Sequence, residues 1–348
     1  MTYKTQGSPY GLHRVVEPQG VLPQAAWKIS NDMQIWDNEI LIDVSALNID
    51  SASFTQIKAE AGGDPEQVKA IIQRIVQQRG KHHNPVTGSG GMLIGTVRDI
   101  GPALAGRTGL QVGDRIATLV SLSLTPLRID TILALHMDTD QVDIQGQAVL
   151  FETGLFAKLP ADIPEKLALA VLDVAGAPAQ TARLVQPGQT VVIIGGGGKS
   201  GTLCVYEARK RAGPTGKVIG ISPFEADCER MRELGWVDHA LKVDAKDALA
   251  VMKAVAEVTD GQLADVTINC VNVQNTEMAS ILATRDLGTI YFFSMATSFT
   301  AAALGAEGVG KDVEMIVGNG YAQGHAEHSL ALLRESAELR ALFEQLYV

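Results

Sequence analysis

The stretch Thr190-Val-Val-Ile-Ile-Gly-Gly-Gly-Gly-Lys-Ser-Gly201 decides the fold of this chain. Its apolar, β-branched start predicts a strand, and Thr202-Leu-Cys-Val-Tyr-Glu-Ala-Arg predicts a helix directly after the glycines. Gly196, Gly198 and Gly201 have the G-x-G-x-x-G spacing of a dinucleotide-binding turn, where a helix N-terminus favours a phosphate. A nucleoside-triphosphate loop needs a further glycine at the position of Ile193, so the spacing excludes that reading.

Strands and helices alternate after this turn, which predicts an α/β fold with a doubly wound parallel (Rossmann) sheet. Six strands are predicted, over residues 190–194, 217–221, 239–243, 265–271, 288–294 and 313–318. Helices are predicted between them, over residues 202–209, 225–234, 245–258 and 275–282. Since a glycine turn after the first strand of such a sheet binds dinucleotides, the context makes a common motif specific.

The first part of the chain has a different pattern. Short alternating runs separated by turn residues predict a mainly antiparallel module, with strands over residues 13–16, 39–48, 92–97, 110–120, 148–152 and 155–160. A helical insertion is predicted over residues 64–80, with Pro65 in its first turn and Gly80 at its end. We expect a β-rich catalytic domain (1–165), a dinucleotide-binding domain (166–322) and C-terminal helices (323–348) that return to the first domain.

Composition restricts the partners and the location of the chain. A net charge of −10 disfavours nucleic acid, because contacts with phosphates need a basic face. No apolar run reaches the ~18 residues that cross a bilayer, and no apolar signal segment is present, so we expect no membrane partner and a cytoplasmic location. Cys204, Cys228 and Cys270 are far apart in the sequence, which predicts reduced, mostly buried thiols.

Dinucleotide ligands are expected at the glycine turn and at the carboxyl ends of the strands. The candidates are Gly195, Gly196, Gly198, Lys199, Ser200, Gly201, Ser222, Asn272, Val273, Ser294, Met295, Ala296, Thr297 and residues 319–321, which begin with Asn319. The acid that usually binds the ribose of NAD, about 20 residues after the glycines, is missing because Ser222 occupies that position. No basic residue follows immediately to bind a 2′-phosphate, so the sequence leaves NAD and NADP open.

The order of these parts resembles the medium-chain dehydrogenase/reductase superfamily. The landmarks of the superfamily are matched at Asn48-Ile-Asp-Ser51, at residues 90–97, at Val112-Gly-Asp-Arg-Ile116 and at the glycine turn. Residues 84–96, 172–180, 294–300 and 308–312 are similar to a zinc-free, amine-oxidising branch of it. The resemblance implies a GroES-like fold for the β-rich domain and NAD or NADP as cofactor. It also implies oxidative deamination of 3,5-diaminohexanoate to 5-amino-3-oxohexanoate and ammonia, a reaction of lysine fermentation.

Zinc-dependent members of the superfamily bind their metal at positions where this chain differs. Their first cysteine ligand corresponds to Asp50, their histidine ligand to Gly91, and the region of their second cysteine to Asp173 and its neighbours. One or two carboxylates cannot replace three soft or imidazole ligands, so no metal is expected. The histidine pairs at 82–83 and 325/328 are interpreted as structural, the second on an exposed helix turn.

Amine oxidation sets the chemistry that such a site must supply. An alkyl ammonium with a pKa of about 10.4, like that of lysine, must lose a proton before its carbon can release hydride, so a base is required. Asp50 and Asp173 are predicted as the base and as the ligand of the second ammonium, in either order, with Glu152 as a weaker candidate acid. Candidates for binding the substrate carboxylate are Arg128, Lys311 and Arg14.

Two alternatives stay open at this point. A zinc-free quinone, enone or alcohol oxidoreductase of the same superfamily would need hydride transfer but no amine base. A non-catalytic dinucleotide-binding protein would need only the glycine turn. The expected partner is a small diamino acid, and a homodimer or homotetramer is expected.

Overall fold

A computed structural model describes residues 3–294, 296–318 and 320–348 of the chain. The chain divides into two units, residues 1–165 and 166–348. Met295 and Asn319, two of the predicted dinucleotide ligands, lie outside the described residues. Within the described ranges, no helix is both long and apolar enough to cross a membrane.

An antiparallel sheet forms the first unit. The strands are β1 (Val15–Glu17), β2 (Lys28–Ile29), β3 (Glu39–Ile49), β4 (Gly91–Ile100), β5 (Arg115–Thr118), β6 (Leu127–His136), β7 (Gln141–Phe151) and β8 (Phe156–Lys158). Strands β3 to β8 pair in the order β6-β7-β3-β4-β5-β8, and β1 pairs with β2. Helices α1 (Ser51–Glu60) and α2 (Pro65–Arg79) follow β3, and 3-10 turns span Leu12–Arg14 and Pro102–Leu104.

Helix α2 begins and ends at the residues that its sequence indicates. The side chain of Asp64 accepts a hydrogen bond from the N–H of Glu66, and Pro65 occupies the first turn, where no N–H is needed. Gly80 ends the helix with a φ of 71°, a left-handed conformation that glycine adopts without strain. The face with Val68, Ile72 and Val76 is buried in the core of the unit.

Parallel strands form the sheet of the second unit. They are β9 (Thr190–Ile194), β10 (Lys217–Ser222), β11 (His239–Lys242), β12 (Ala264–Asn269), β13 (Thr284–Phe292) and β14 (Glu314–Val317), in the order β11-β10-β9-β12-β13-β14. The helices are α3 (Glu165–Leu172), α4 (Gly176–Leu184), α5 (Lys199–Ala212), α6 (Glu225–Leu234), α7 (Ala248–Val258), α8 (Glu277–Ala283), α9 (Phe299–Val309), α10 (His325–Glu335) and α11 (Ala337–Tyr347). This is the doubly wound sheet that the sequence predicts, and its strand order reverses at β9.

Strand β9 is the centre of that sheet. Its residues from Val191 to Ile194 are fully buried, since β10 and β12 pair with its two edges and helices cover its faces. A strand buried on both faces needs apolar side chains at every position, and β-branched residues fit the pleated backbone best. The run of valines and isoleucines before the glycines therefore places the turn at the switch point of the sheet.

Several elements differ from the sequence predictions. Helices α1 and α9 and strand β6 were not predicted, residues 13–16 begin with a 3-10 turn, and within residues 110–120 the only strand is the short β5. Strand β6 was missed because its register shifts between Ile129 and Thr131 and again between Ile132 and Ala134. Each shift moves the following side chains to the other face, which breaks the alternation of a strand.

Candidate functional site

The glycine turn links β9 to α5 at the switch point of the parallel sheet. Gly195 has a φ of 84°, and the N–H groups of Gly195 and Gly196 donate to the carbonyl oxygen of Ile221 on β10, at 2.8 and 3.1 Å. Gly198 is the N-cap residue of α5, and no side chain caps the helix there. The first turn of α5 therefore presents backbone N–H groups in an arrangement that suits a phosphate.

Two glycines of the turn have no room for a side chain, whereas a third glycine faces open space. A Cβ atom at Gly201 would lie 1.9 Å from the carbonyl oxygen of Gly195, and one at Gly197 would lie 2.3 Å from Cγ of Asp227. A Cβ atom at Gly198 would meet nothing closer than 3.5 Å, which is an ordinary contact. The protein therefore packs against Gly201 and Gly197 but leaves the face of Gly198 open, as close approach of a diphosphate to the backbone requires.

Asp227 supplies an acid at the end of the second strand of the sheet. Oγ of Ser222, which is buried, donates to Oδ2 of Asp227 at 2.6 Å. Arg230 donates to Oδ1 of Asp227 at 2.5 Å and to the carbonyl oxygen of Gly197 at 2.9 Å. Helix α6 therefore brings a carboxylate beside Ser222, although this acid lies beyond the end of the strand in the sequence.

An ion pair joins a predicted catalytic residue to the glycine turn. Nζ of Lys199, the first residue of α5, lies 3.0 Å from Oδ2 of Asp173, which follows α3. The side chains of Lys199 and Asp173 are 33% and 30% exposed, so solvent reaches the pair. The ion pair therefore places the carboxylate of Asp173 beside the residue that begins α5.

Buried Asn269 shapes the loop that follows β12. Its Nδ2 donates to Oγ1 of Thr276 at 3.0 Å and to Oγ of Ser280 at 2.9 Å. This loop carries two predicted ligands, Asn272 and Val273, both of which are exposed. Asn269 was not predicted, although a polar residue at the end of a strand buried on both sides is a signal that can be read from a sequence.

Two further parts of the predicted dinucleotide site are described. Ser200 is buried in the first turn of α5. After β13, Oγ of Ser294 accepts a hydrogen bond from the N–H of Ala296 at 3.1 Å. The cysteines are free thiols, as predicted, and the sulfur atoms of Cys204 and Cys270 are 3.8 Å apart.

In the first unit, Asp50 lies between β3 and α1. Its Oδ2 accepts a hydrogen bond from the N–H of Gly90 at 3.0 Å. Gly91, the position of a histidine ligand in zinc-dependent relatives, has a φ of 114°, and a Cβ atom there would lie 2.1 Å from the carbonyl oxygen of Asn48. A histidine does not fit this position, so the surroundings of Asp50 do not fit a catalytic zinc. No cluster of three or more potential metal ligands occurs among the described residues.

A buried polar group supports the loop that carries Gly90. Nδ1 of His82 lies 3.3 Å from the carbonyl oxygen of Gly90, and burial lowers the pKa of His82 to about 4, so the ring is neutral. Lys81 is also fully buried and donates to the carbonyl oxygen of Pro23 at 2.6 Å. Burial lowers the pKa of Lys81 to about 7, and the Arg79 guanidinium adds to this effect.

The structure contradicts one proposed ligand of the substrate carboxylate. Arg14 is buried, and its Nε donates to Oε1 of Glu39 at 2.9 Å. Burial raises the pKa of Glu39, but hydrogen bonds from His13 and Arg14 outweigh it and hold that pKa below its usual range. Arg14 therefore belongs to a structural ion pair, and its predicted role in substrate binding was wrong.

The other charged candidates also have partners within the protein. Nε of Arg128 lies 2.9 Å from Oδ1 of Asp130, and Nζ of Lys311 donates to the carbonyl oxygen of Thr284 at 2.6 Å. Glu152 follows β7 and accepts from Arg107 at 3.0 Å. The functional roles of Arg128, Lys311 and Glu152 stay predictions.

The second histidine pair differs from its prediction. His325 is buried, with its ring edge to face on Tyr321 at a centroid distance of 5.2 Å. Nε2 of His328 lies 3.4 Å from Oε2 of the buried Glu207. The expectation of an exposed helix turn was wrong, because α10 packs this face against α4 and α5.

The amino-acid sequence is similar to two protein families and to two named relatives. A family model described as L-erythro-3,5-diaminohexanoate dehydrogenase N-terminal domain matches residues 13–160, and one described as zinc-binding dehydrogenase matches residues 201–307. A relative from Acetoanaerobium sticklandii, named L-erythro-3,5-diaminohexanoate dehydrogenase, is 60% identical over 99% of this chain and 100% of its own length. A relative of the same name from Fusobacterium nucleatum subsp. nucleatum is 61% identical over 99% of each chain.

Solved structures share the fold at much lower identity. The mycobacterial protein Rv1454c, solved in complex with NADPH, is 17% identical with a TM-score of 0.53, over 89% of this chain and 82% of its own. An alcohol dehydrogenase superfamily protein from Novosphingobium aromaticivorans is 22% identical with a TM-score of 0.51, over 88% and 79%. Since the two named relatives match almost the whole chain, the protein belongs to the L-erythro-3,5-diaminohexanoate dehydrogenase family of oxidoreductases.

Proposed function

We propose that the chain catalyses the oxidative deamination of L-erythro-3,5-diaminohexanoate. In this reaction the carbon that carries the 3-amino group is oxidised, a bound nicotinamide accepts its hydride, and water replaces the nitrogen. The products are 5-amino-3-oxohexanoate, ammonia and the reduced dinucleotide. The observation that carries this proposal is the identity of 60 and 61% with two relatives of that name over 99% of the chain.

The surroundings of the glycine turn support NAD as the preferred dinucleotide. A carboxylate at the end of the second strand accepts hydrogen bonds from ribose hydroxyls and repels a 2′-phosphate. Asp227 lies at this position, and its two carboxylate oxygens accept hydrogen bonds from Ser222 and Arg230.

Asp173 is the residue that we assign to the reacting amine. The ammonium must lose a proton before its carbon can release hydride, and a carboxylate within reach can accept that proton. Asp173 contacts Lys199 in the same unit as the glycine turn, which ties its position to the dinucleotide site. After hydride transfer the carbon belongs to an iminium. Once Asp173 has released the first proton to the solvent that reaches it, its carboxylate can accept a proton from the water that attacks the iminium, and can return that proton to the nitrogen that leaves as ammonia.

Asp50 is the residue that we assign to the second ammonium of the substrate. Its carboxylate is fixed by the N–H of Gly90, which in turn is supported by His82. Placing an ammonium away from water is costly unless a negative charge compensates it. An anion held in this way would therefore favour a diamino acid over a monoamine of the same length.

The test compares the wild-type chain with Asp173→Asn and with a matched control, Asp260→Asn. Asp260 is exposed in a turn with a φ of 51°, a conformation that asparagine also adopts, so its replacement leaves the fold unchanged. NADH formation from the diamino acid is followed by absorbance. We expect Asp173→Asn to lower kcat by a factor of ~100 or more, the usual loss on removing a general base, and Asp260→Asn to leave it unchanged.

Two outcomes would contradict these assignments separately. Unchanged deamination by Asp173→Asn would refute the role of Asp173 but leave the reaction itself in place. Absence of NADH formation from the diamino acid, together with reduction of a quinone by NADPH, would refute the proposed function in favour of a quinone reductase.

A further inference from the structure

The last turn of α11 brings an aromatic side chain to the start of α5. Nζ of Lys199 lies over the ring of Tyr347, 5.7 Å from its centroid, which is within the range of a cation–π contact. Phe343, one turn earlier on α11 and fully buried, packs on the same ring with centroids 4.9 Å apart. The ring of Tyr347 is therefore held between a core residue and the first residue after the glycine turn.

Tyr347 also lies close to the charged pair on α6. Burial raises the pKa of its phenol, and the nearby charges of Arg230 and Asp227 lower and raise that pKa, respectively. Both of these residues touch the turn itself, since Arg230 donates to the carbonyl oxygen of Gly197 and a Cβ atom at Gly197 would contact Asp227. Side chains of α5, α6 and α11 therefore converge on one side of the glycine turn.

The chemistry of this convergence fits an anion better than it fits a purely structural contact. A diphosphate binds to ammonium groups and to O–H and N–H donors. Lys199 supplies the ammonium, the first turn of α5 supplies N–H groups, and the phenol of Tyr347 supplies an O–H group. The ammonium of Lys199 has three N–H donors, so its pairing with Asp173 leaves donors for a diphosphate oxygen.

We propose that Tyr347 is a dinucleotide-binding residue, whose ring holds the Lys199 ammonium in front of the glycine turn and whose hydroxyl donates to a diphosphate oxygen. The inference rests on the proposed function, because it adds a residue to the same dinucleotide site. It also gives α11 a functional role, although this helix lies about 150 residues beyond the glycines and carries no recognisable motif.

Affinity measurements on four chains test the assignment. Titrations give the dissociation constants of two ligands, NADH and ADP-ribose. ADP-ribose keeps the diphosphate but lacks nicotinamide. The proteins are wild type, Tyr347→Phe, Tyr347→Ala and Leu346→Ala. Leu346 is the preceding residue and is 40% exposed, so its replacement controls for disturbance of the last turn of α11.

We expect Tyr347→Phe to weaken both ligands about tenfold, since it keeps the ring but loses a hydrogen bond to a charged group. Tyr347→Ala should weaken them further, because Lys199 also loses its contact. The KM for NAD should rise in Tyr347→Phe while kcat stays near that of wild type, because the ring that contacts Lys199 is kept, and a general loss of folding would not produce this result. Leu346→Ala should bind as wild type does.

The outcomes distinguish this inference from the proposed function. Wild-type affinity in Tyr347→Phe, whatever Tyr347→Ala does, would overturn the inference and leave the proposed function intact. Weaker NADH binding with unchanged ADP-ribose binding would also overturn it, because the contact would then not be with the diphosphate. A wild-type chain that binds neither ligand would refute the proposed function and the inference together. If Tyr347→Ala fails to fold, Tyr347→Phe still decides the question.

Discussion

Replacing Gly201 by alanine tests whether the glycine turn is built as the structure has it. The new Cβ atom would lie 1.9 Å from the carbonyl oxygen of Gly195, whereas an ordinary contact begins at 3.4 Å. Helix α5 must therefore move away from the turn by more than about 1 Å, and strain of this kind in a packed site costs ~1–3 kcal/mol of stability. The same movement carries the N–H groups of α5 away from a bound phosphate.

Two matched glycines separate the effect on folding from the effect on binding. Gly198→Ala meets only an atom at 3.5 Å, so it should cost less stability than Gly201→Ala, only the ~0.5–1 kcal/mol by which alanine is the poorer N-cap, but it should obstruct the approach of the diphosphate. At Gly308 on α9, a Cβ atom meets nothing within 4 Å, so alanine there should stabilise the helix by ~0.5–1 kcal/mol and leave binding unchanged.

Urea denaturation and NADH titration of the three variants supply the measurements. If two charge-assisted hydrogen bonds to the phosphate are lost, at ~1.5–3 kcal/mol each, NADH affinity should fall at least a hundredfold in Gly201→Ala. Gly198→Ala should lose affinity with a smaller loss of stability than Gly201→Ala. Wild-type stability and affinity in Gly201→Ala, or equal behaviour of all three variants, would refute the described turn.

Two further predictions concern charged groups. Asp227→Asn should lower the ratio of kcat/KM for NAD to that for NADP by about tenfold or more, since one ribose acceptor and the repulsion of a 2′-phosphate are both weakened; an unchanged ratio would contradict its role. The pKa of Lys81 is about 7 in the folded chain, which is below its value in the unfolded chain. Between about pH 7 and 10, Lys81 is therefore protonated in the unfolded chain and neutral in the folded chain. Because the unfolded chain binds one more proton in this range, the free energy of unfolding rises with pH. Lys81→Met should reduce this slope by up to ~1.4 kcal/mol per pH unit in urea denaturation, and equal slopes in both proteins would refute the assignment.

The architecture of the second unit could be predicted because its signals are local. The valine and isoleucine run of β9, the glycines after it and the alternating strands each depend on burial and turn geometry that adjacent residues determine. In the first unit, β6 was missed since two register shifts break its alternation. Helix α1 was missed because its polar and small residues show little helical periodicity.

The candidate site was harder to predict, because it depends on contacts between elements. Asp227 could not be assigned from spacing, since the turn that carries it back to Ser222 belongs to α6 and not to the strand. The pairing of Arg14 with Glu39 removes a candidate whose sequence context looked like any surface arginine. Tyr347 could be connected with Lys199 only once the path of α11 was known. The amine substrate was predicted from the resemblance to a family. No pattern of residues in the chain would have predicted it without that resemblance.

The most direct test of the central claim measures ammonia and NADH in one reaction. The wild-type chain is incubated with L-erythro-3,5-diaminohexanoate and NAD in water that carries a heavy oxygen isotope. The account predicts one ammonia released for each NADH formed, and 5-amino-3-oxohexanoate that contains the heavy oxygen in its new carbonyl group. NADH formation without ammonia, or ammonia release without NADH, would contradict oxidative deamination by this protein.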